Sequence, residues 1–254
     1  MNISIIVTYY NKNELLINAI DSCIYQLKES DELIIINDKS SSLKSLETIQ
    51  KVELSIQNKS NIYLYSNTEN QGAAESKNIG IDKAKNEIIV LLDADDTLPE
   101  NSLESLRETF IQTNSDFVFG NYLRKEIHED SEHIINCEEI TTNNIVNPNV
   151  LIYNWILLGT TPFTKSIYKK INGFDKMYPR TDDRDFHIKA IMNNAKFVYI
   201  DNLIYNWHRY NDGNNSNIPS IDSTSSYFRN IMFYYKFSTK LRFTLVLIKN
   251  FLRI

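Results

Sequence analysis

The sequence predicts an α/β protein with a mostly parallel central sheet flanked by helices, followed by a helical C-terminal tail. Three observations lead there. Short apolar runs recur through the first half, at Ile3–Thr8, Leu33–Ile36, Ile62–Tyr65 and Ile88–Leu92. Segments whose apolar residues have helical spacing separate them. The runs are apolar throughout rather than alternating, which means burial on both faces, as in repeated β–α–β units.

The elements follow in order. After the first strand, apolar residues at 16, 20, 23, 24 and 27 make 14–27 a helix. The second strand is followed by a helix over 43–56, and a helix over 73–85 joins the third strand to the fourth. Thr97-Leu98-Pro99-Glu100 has the form of a capping box, with Thr97 as cap and Glu100 reaching back, and predicts a helix to Gln112. Phe117–Tyr122 reads as a strand, and 124–149 as a hairpin with a loop. A helix capped by Thr181 runs to Asn193, and two strands follow, at Phe197–Ile200 and Leu203–Trp207. The Asn-, Ser-, Asp- and Gly-rich stretch 211–226 reads as a mobile loop. Beyond it, Phe237, Leu241, Leu245, Ile248 and Leu252 share one helical face, with Lys240, Arg242, Lys249 and Arg253 around it. Such a helix suits a membrane surface, a partner, or packing on its own domain.

Composition narrows the function classes. The 254 residues are 42% hydrophobic and 23% charged, as expected of a globular chain with one large domain. A net charge of −5 gives no footprint for nucleic acid. Cys23 and Cys137 form no CxxC pair, so neither zinc nor a disulfide framework is expected, and a reducing cytosol fits. The N-terminus, MNISIIVTYYNK, enters a strand directly, with no signal-peptide pattern. No run approaches the roughly 18 apolar residues of a membrane span. The abundance of Asn, Ile and Lys reads as the coding bias of an AT-rich bacterium.

In a parallel sheet, ligands bind beyond the carboxyl ends of the strands, so the residues just after each strand are the ones to search. LLDADD ends the fourth strand. In an extended chain Asp93 and Asp95 would point the same way, giving a hard-oxygen site for Mg²⁺ or Mn²⁺ shared with a ligand's phosphates. Acids also simply punctuate strand-to-helix turns. Asp38, after LIIIN, can accept hydrogen bonds from a base or ribose, or serve as a turn residue. Thr8 and Tyr9, after the first strand, offer a hydroxyl and a ring for a nucleobase, while Asn11 can cap the following helix. Gly72 allows close backbone approach or a tight helix start. Lys77 supplies a cation near phosphates, or a solvated helix residue. In TDDRDF, acids in a first helical turn are stabilised by the helix dipole and can also supply a general base.

Together these segments resemble the family 2 glycosyltransferases, which have the GT-A fold. IIVTYYNK resembles that family's opening strand, ELIIINDKS its uracil-contacting strand end, and NQGAAESKNIGIDKAKNEIIVLLDADD its longest signature. FTKSIYKKINGFDK and TDDRDFHIKA resemble its acceptor segment and catalytic-base motif. The resemblance spans residues 1–210, divided into a donor half, 1–96, and an acceptor half, 97–210. Residues 211–254 are left as the loop and amphipathic helix.

The resemblance implies that Thr8, Tyr9 and Asp38 hold the nucleoside with Lys77 close by. It implies that Asp93 meets the ribose and metal region, that Asp95 ligates Mn²⁺ or Mg²⁺, and that Asp183 is the base with Asp182 before it. His208 is a candidate metal ligand, since the family's late Arg-His motif appears here as NWHRYNDGNNS. Asn37 replaces an acid, Lys39-Ser40 replaces Gly-Ser, Lys77 replaces an arginine, and Asp182 replaces a glutamate. The implied reaction is inverting transfer from a UDP-sugar to a hydroxyl of a glycan or lipid-linked glycan in surface-polysaccharide assembly. It would take place in the cytoplasm at the inner face of the membrane, with 233–254 as a peripheral membrane contact. A nucleotidyltransferase would show a glycine-rich basic loop where TYYNK stands, and a dinucleotide oxidoreductase would show GxGxxG there. A non-catalytic sugar-nucleotide-binding or partner-binding module would show a broken acidic motif, and both motifs here are intact.

Overall fold

β1 (Ile3–Tyr9), β2 (Glu32–Asn37), β3 (Ile62–Ser66) and β4 (Ile88–Asp93) are joined by α1 (Leu15–Ile24), α2 (Leu43–Ile56) and α3 (Ala73–Lys83). α4 (Ser102–Thr113) leads to β5 (Phe117–Glu126), which turns back as β6 (Ser131–Ile135); β7 (Thr141–Thr142) and β8 (Ile145–Val146) form a small separate ribbon. β9 (Phe163–Thr164), α5 (Lys165–Lys170), α6 (Asp182–Met192) and β10 (Phe197–Arg209) complete the order. This computed structural model describes residues 1–138, 141–142, 145–146, 160–178 and 182–210. The expected loop at 211–226, the amphipathic helix at 233–254 and the cap Thr181 lie outside the described residues.

The main sheet runs β10-β5-β9-β4-β1-β2-β3, with β6 added on β5. β1 pairs in parallel with both β2 and β4, while β9 is antiparallel to β4 and β5. The strand order therefore reverses beside β1, and the crevice beyond the ends of β1 and β4 is where such a sheet takes a ligand. Every residue of β2 is buried. Burying each Ile or Leu of these strands contributes roughly 1.5–3 kcal/mol. Helix α3 lies close on the sheet because Gly80 has no Cβ. One there would collide with Ile6 Cγ2 and crowd Ile36 Cγ1 at 3.2 Å. The edge near the N-terminus is tied by the buried Asp31, whose carboxylate takes Arg107 Nη1 and Nη2 at 3.1 and 2.7 Å and the Ile3 N–H at 2.8 Å.

Four local expectations are corrected. Thr97 does not open a helix; it exchanges backbone hydrogen bonds of 3.2 and 2.9 Å with Asn206. α4 starts five residues later at Ser102 after a left-handed Asn101, and Gln26 from the end of α1 supplies its cap by accepting from Leu103 N at 3.3 Å. Asn11 does not cap α1. It has φ 52°, and its Oδ1 accepts from the N–H groups of Ser41 and Ser42 at 3.0 and 3.2 Å. The last two predicted strands are one, β10, with register shifts around Leu203 against β5. Gly120 of β5 makes room there, since a Cβ would stand 2.7 Å from Asn202 O. Finally, Asp93 and Asp95 are not related by an extended chain. β4 ends at Asp93 and a turn follows, closed by Asp96 N donating to Asp93 O at 3.0 Å.

Candidate active site

The end of β1 brings Thr8 opposite Asp93 on one side and Ile36 on the other. Thr8 is partly exposed there, but Tyr9 is 1% exposed, with its hydroxyl donating to Asn13 O at 3.3 Å. Alternation along the strand turns the Tyr9 ring into the core, so it is not a stacking face for a base. Tyr10, at 48% exposure, is the open ring beside it.

Asp38 is buried, and its N–H donates to Tyr9 O at 2.9 Å. Its oxygens accept from Asn67 Nδ2, Gln71 N and Gly72 N, each at 2.8 Å. Asp38 thus shapes the loop that opens α3, where Gly72 takes φ 83° as the N-cap. A carboxylate has about four acceptor positions, so about one is left for a ligand's N–H.

The turn after β4 collects acids. Burial, reinforced by the charges of Asp95, Asp182 and Asp183 and opposed by Lys77, pushes Asp93 up to about 6. Asp96 is buried and its pKa is raised well above the usual range, first by burial and then by Asp93 and Asp95. It accepts from Tyr205 OH at 2.8 Å and His208 N at 2.7 Å, which pins β10 over the turn. Asp95 Oδ2 holds the Lys12 ammonium at 2.6 Å.

His208 lies at this turn too, with Nδ1 3.1 Å from the Asp95 carbonyl oxygen. A carbonyl only accepts, so in this contact Nδ1 carries the proton and Nε2 keeps its lone pair. Burial lowers the His208 pKa, which favours the neutral ring a metal would need. Among the described residues, no three His, Cys, Asp or Glu side chains form a group that could hold a metal ion. Mg²⁺ or Mn²⁺ would not need such a group. These ions take one or two carboxylates and fill their shell with phosphate oxygens and water, and mutually repelling acids gain from a cation. Asp95, with Asp93 beside it and His208 Nε2 at the turn, would hold it.

α6 brings the second acidic motif. Asp182, Asp183 and Asp185 occupy its first turn, where the helix dipole favours negative charge. Asp182 is buried and takes the Lys77 ammonium at 2.8 Å. Lys77 is thereby committed to an acid rather than left as an open phosphate cation. Asp183 is partly exposed, and its Oδ1 accepts from Arg184 N at 2.8 Å. The structure thus gathers Lys77, Asp93, Asp95, Asp182, Asp183 and His208 with Thr8 at the strand end, and gives Asp38 a loop-shaping place.

Three participants were missed by sequence reasoning. Lys12 follows β1 and was visible in TYYNK as a charge at a strand end. Asp96 stood in LLDADD but broke the two-residue spacing. Tyr205 gave no signal, since its partner Asp96 lies far away in sequence.

The family model described as glycosyl transferase family 2 matches residues 4–171. An uncharacterized glycosyltransferase of Haemophilus influenzae is 36% identical over 120 residues, covering 47% of this chain and 46% of the relative. TarP of Staphylococcus aureus, a poly(ribitol-phosphate) beta-N-acetylglucosaminyltransferase, is 29% identical over 241 residues, covering 92% of this chain and 71% of its own. The crystal structure of S. aureus TarS 1–349 in complex with UDP-GlcNAc superposes with a TM-score of 0.70 at 18% identity, over 91% of this chain and 64% of that one. At that identity the likeness is one of fold. The chain spans about half the length of the Haemophilus relative.

Proposed function

The chain belongs to the family 2 glycosyltransferases, and from that premise we propose that it moves a sugar from a UDP-sugar to an acceptor hydroxyl with inversion at the anomeric carbon. The observation that carries this reading is the meeting of two acidic motifs about one buried cation. Lys77 lies within the fields of Asp93 at the end of β4 and of Asp182 and Asp183 at the start of α6. One motif suits the donor's diphosphate and its cation, the other the acceptor's proton.

In the proposed step the acceptor oxygen attacks the anomeric carbon from the face opposite the diphosphate. The carbon–oxygen bond to the diphosphate breaks, and the acceptor's proton passes to Asp183. General-base help of this kind is typically worth ~10²–10⁴-fold. A bound Mg²⁺ or Mn²⁺ would offset the charge gathering on the departing diphosphate. Thr8 and the remaining acceptor position of Asp38 face the nucleoside side. Asp96 and Tyr205 hold the Asp95–His208 turn in shape, so that little reorganisation is needed when charge develops.

UDP as the nucleotide is supported by the TarS fold likeness together with that protein's UDP-GlcNAc complex. A hydroxyl-bearing polymer as acceptor is supported by TarP, whose name gives poly(ribitol-phosphate) as its acceptor. The proposed setting is a glycan or lipid-linked glycan acceptor of surface-polysaccharide assembly at the inner face of the cytoplasmic membrane. No helix among the described residues is long and apolar enough to cross a membrane.

The test is calorimetric titration of UDP, against ADP, GDP and CDP, with and without Mn²⁺. UDP-selective, metal-dependent binding is expected, followed by UDP release from one member of a UDP-sugar panel. No nucleotide binding under either condition would overturn the reading.

A further inference from the structure

We propose that Lys77 is a positioning residue: its ammonium holds the first turn of α6, and so Asp183, against the acids at the end of β4, and does not itself bind the donor. This rests on the reading of Asp183 as the base.

The geometry points inward at every contact. The Lys77 and Asp182 side chains are 10% and 8% exposed, and the bond between them is 2.8 Å, joining residues 105 apart in sequence. The ammonium also stands 5.3 Å from the centroid of the Phe174 ring, which is stacked on Phe186 of α6 at 4.1 Å. Cation and aromatic shelf therefore belong to the same buried joint. The neighbouring residue grips the same joint. Asn78 Nδ2 donates to Phe174 O at 2.9 Å, and Asn78 Oδ1 accepts from Phe174 N at 3.0 Å. Lys189 of α6 donates to Gly173 O at 2.6 Å, closing the circuit. Two consecutive residues of α3 thus fix both the 173–174 segment and the start of α6.

Burial alone would lower the Lys77 pKa, yet Asp182, Asp93 and Asp183 hold it well above the ordinary lysine range. His187, one turn beyond Asp183, is kept neutral by burial and by Lys77, with its pKa pushed down to about 4. At neutral pH Lys77 is therefore a permanent cation between acids from both ends of the site. An ammonium so enclosed has few directions left for a phosphate.

The test compares wild type with Lys77→Met, Lys77→Arg and the double variant Lys77→Met/Asp182→Asn. The readouts are the Kd of UDP with Mn²⁺, Tm, and the rate of UDP release at saturating donor. The donors are UDP-N-acetylglucosamine, UDP-glucose and UDP-galactose. In Lys77→Met the Kd should stay within about threefold while release falls about 10- to 100-fold, the usual scale for a misplaced group. Lys77→Arg should recover most of the rate. The double variant removes the buried unpaired acid, so it should regain the Tm lost by Lys77→Met without regaining the rate.

A Kd weakened about tenfold or more in Lys77→Met, with the saturated rate kept, would make Lys77 a donor contact and overturn the proposal. So would a double variant that regains rate together with Tm, because the pair would then be structural only. Asp183→Asn separates the two failures. Normal release by it removes the base reading and this proposal with it, whereas a dead Asp183→Asn beside a normal Lys77→Met removes this proposal alone.

Discussion

Lowering the pH should loosen the metal-dependent donor site before it harms the fold, and Asp93 sets where. Burial, with repulsion from Asp95, Asp182 and Asp183, lifts its carboxyl from 3.8 to about 6 in the ligand-free protein. A divalent cation requires the carboxylate, so binding must expel that proton. At about pH 6 half the molecules carry it, and at about pH 5 some ten in eleven. Apparent affinity for Mn²⁺ plus UDP-sugar should therefore fall about twofold at pH 6 and about tenfold at pH 5, relative to about pH 7.5. Calorimetry at the three pH values, in two buffers of different ionisation heat, reads both the affinity and the released proton. A UDP-sugar is the suitable ligand, because its diphosphate diester has no proton to exchange in this range. Asp93→Asn should bind more weakly at neutral pH and lose the dependence. Equal wild-type affinity at pH 5 and 7.5 would refute the reasoning. The same carboxyl is held more tightly when folded than unfolded, so the stability it contributes is fully present below about 3.8 and lost as pH rises through about 6. Asp93→Asn should accordingly have a higher Tm than wild type at neutral pH.

Asp183→Asn should lower UDP release by about 10²–10⁴-fold while leaving the Kd of UDP nearly unchanged, measured by single-turnover release and calorimetry. Asp95→Ala should abolish the part of UDP affinity that depends on Mn²⁺ and leave the metal-free part alone, read from paired titrations. Arg107→Met leaves the buried Asp31 without its bidentate partner, and denaturant unfolding should show a loss of about 3–5 kcal/mol. Burial opposes ionisation of Asp31, but its hydrogen bonds from Arg107, Ile3 and Lys28 win and lower its pKa. Its contribution is therefore present above the unfolded value and lost as pH falls, so the wild-type advantage over Arg107→Met should shrink in acid. Gly120→Ala would press a methyl onto the backbone oxygens of Asn202 and Ile200, and should cost about 1–3 kcal/mol in the same assay.

The parallel half of the fold was legible because its strands are buried on both faces and its helices on one, and those two periods do not resemble each other. Helix α2 falls where its spacing placed it, at Leu43–Ile56. The start of α4 was not legible, because the capping partner is Gln26, 77 residues away from Leu103, while the local Thr97–Glu100 pattern is drawn off to pair with Asn206. The same kind of competition hid the site's scaffold. Strand-end acids announce themselves by sequence and position. Tyr205, a strand residue among other aromatics, gains its role only from the fold, which sets its hydroxyl on Asp96. Tyr9 failed in the opposite sense: the motif promised a ring at the ligand, but the pleat of β1 sends that side chain into the core.

Among the described residues, acids outnumber the cations seen paired with them at this site, and that imbalance constrains how it can work. Asp93, Asp95, Asp96, Asp182 and Asp183 converge from two elements, while Lys77 is spent on Asp182 and Lys12 is paired with Asp95. A diphosphate arriving alone would meet a field of its own sign, barely screened over the few ångströms between these groups and their partly buried surroundings. The acids cannot relax apart, since Asp96 is pinned by β10 and Asp182 by α3. Protonation is one way to relieve them, and burial first, then this repulsion, raises the pKa of both Asp93 and Asp96. A divalent cation is the other, and it converts the same repulsion into affinity for the diphosphate. Donor and cation should therefore bind with strong mutual dependence, and the size of that coupling measures how much of the acidic surplus the protein itself leaves unneutralised.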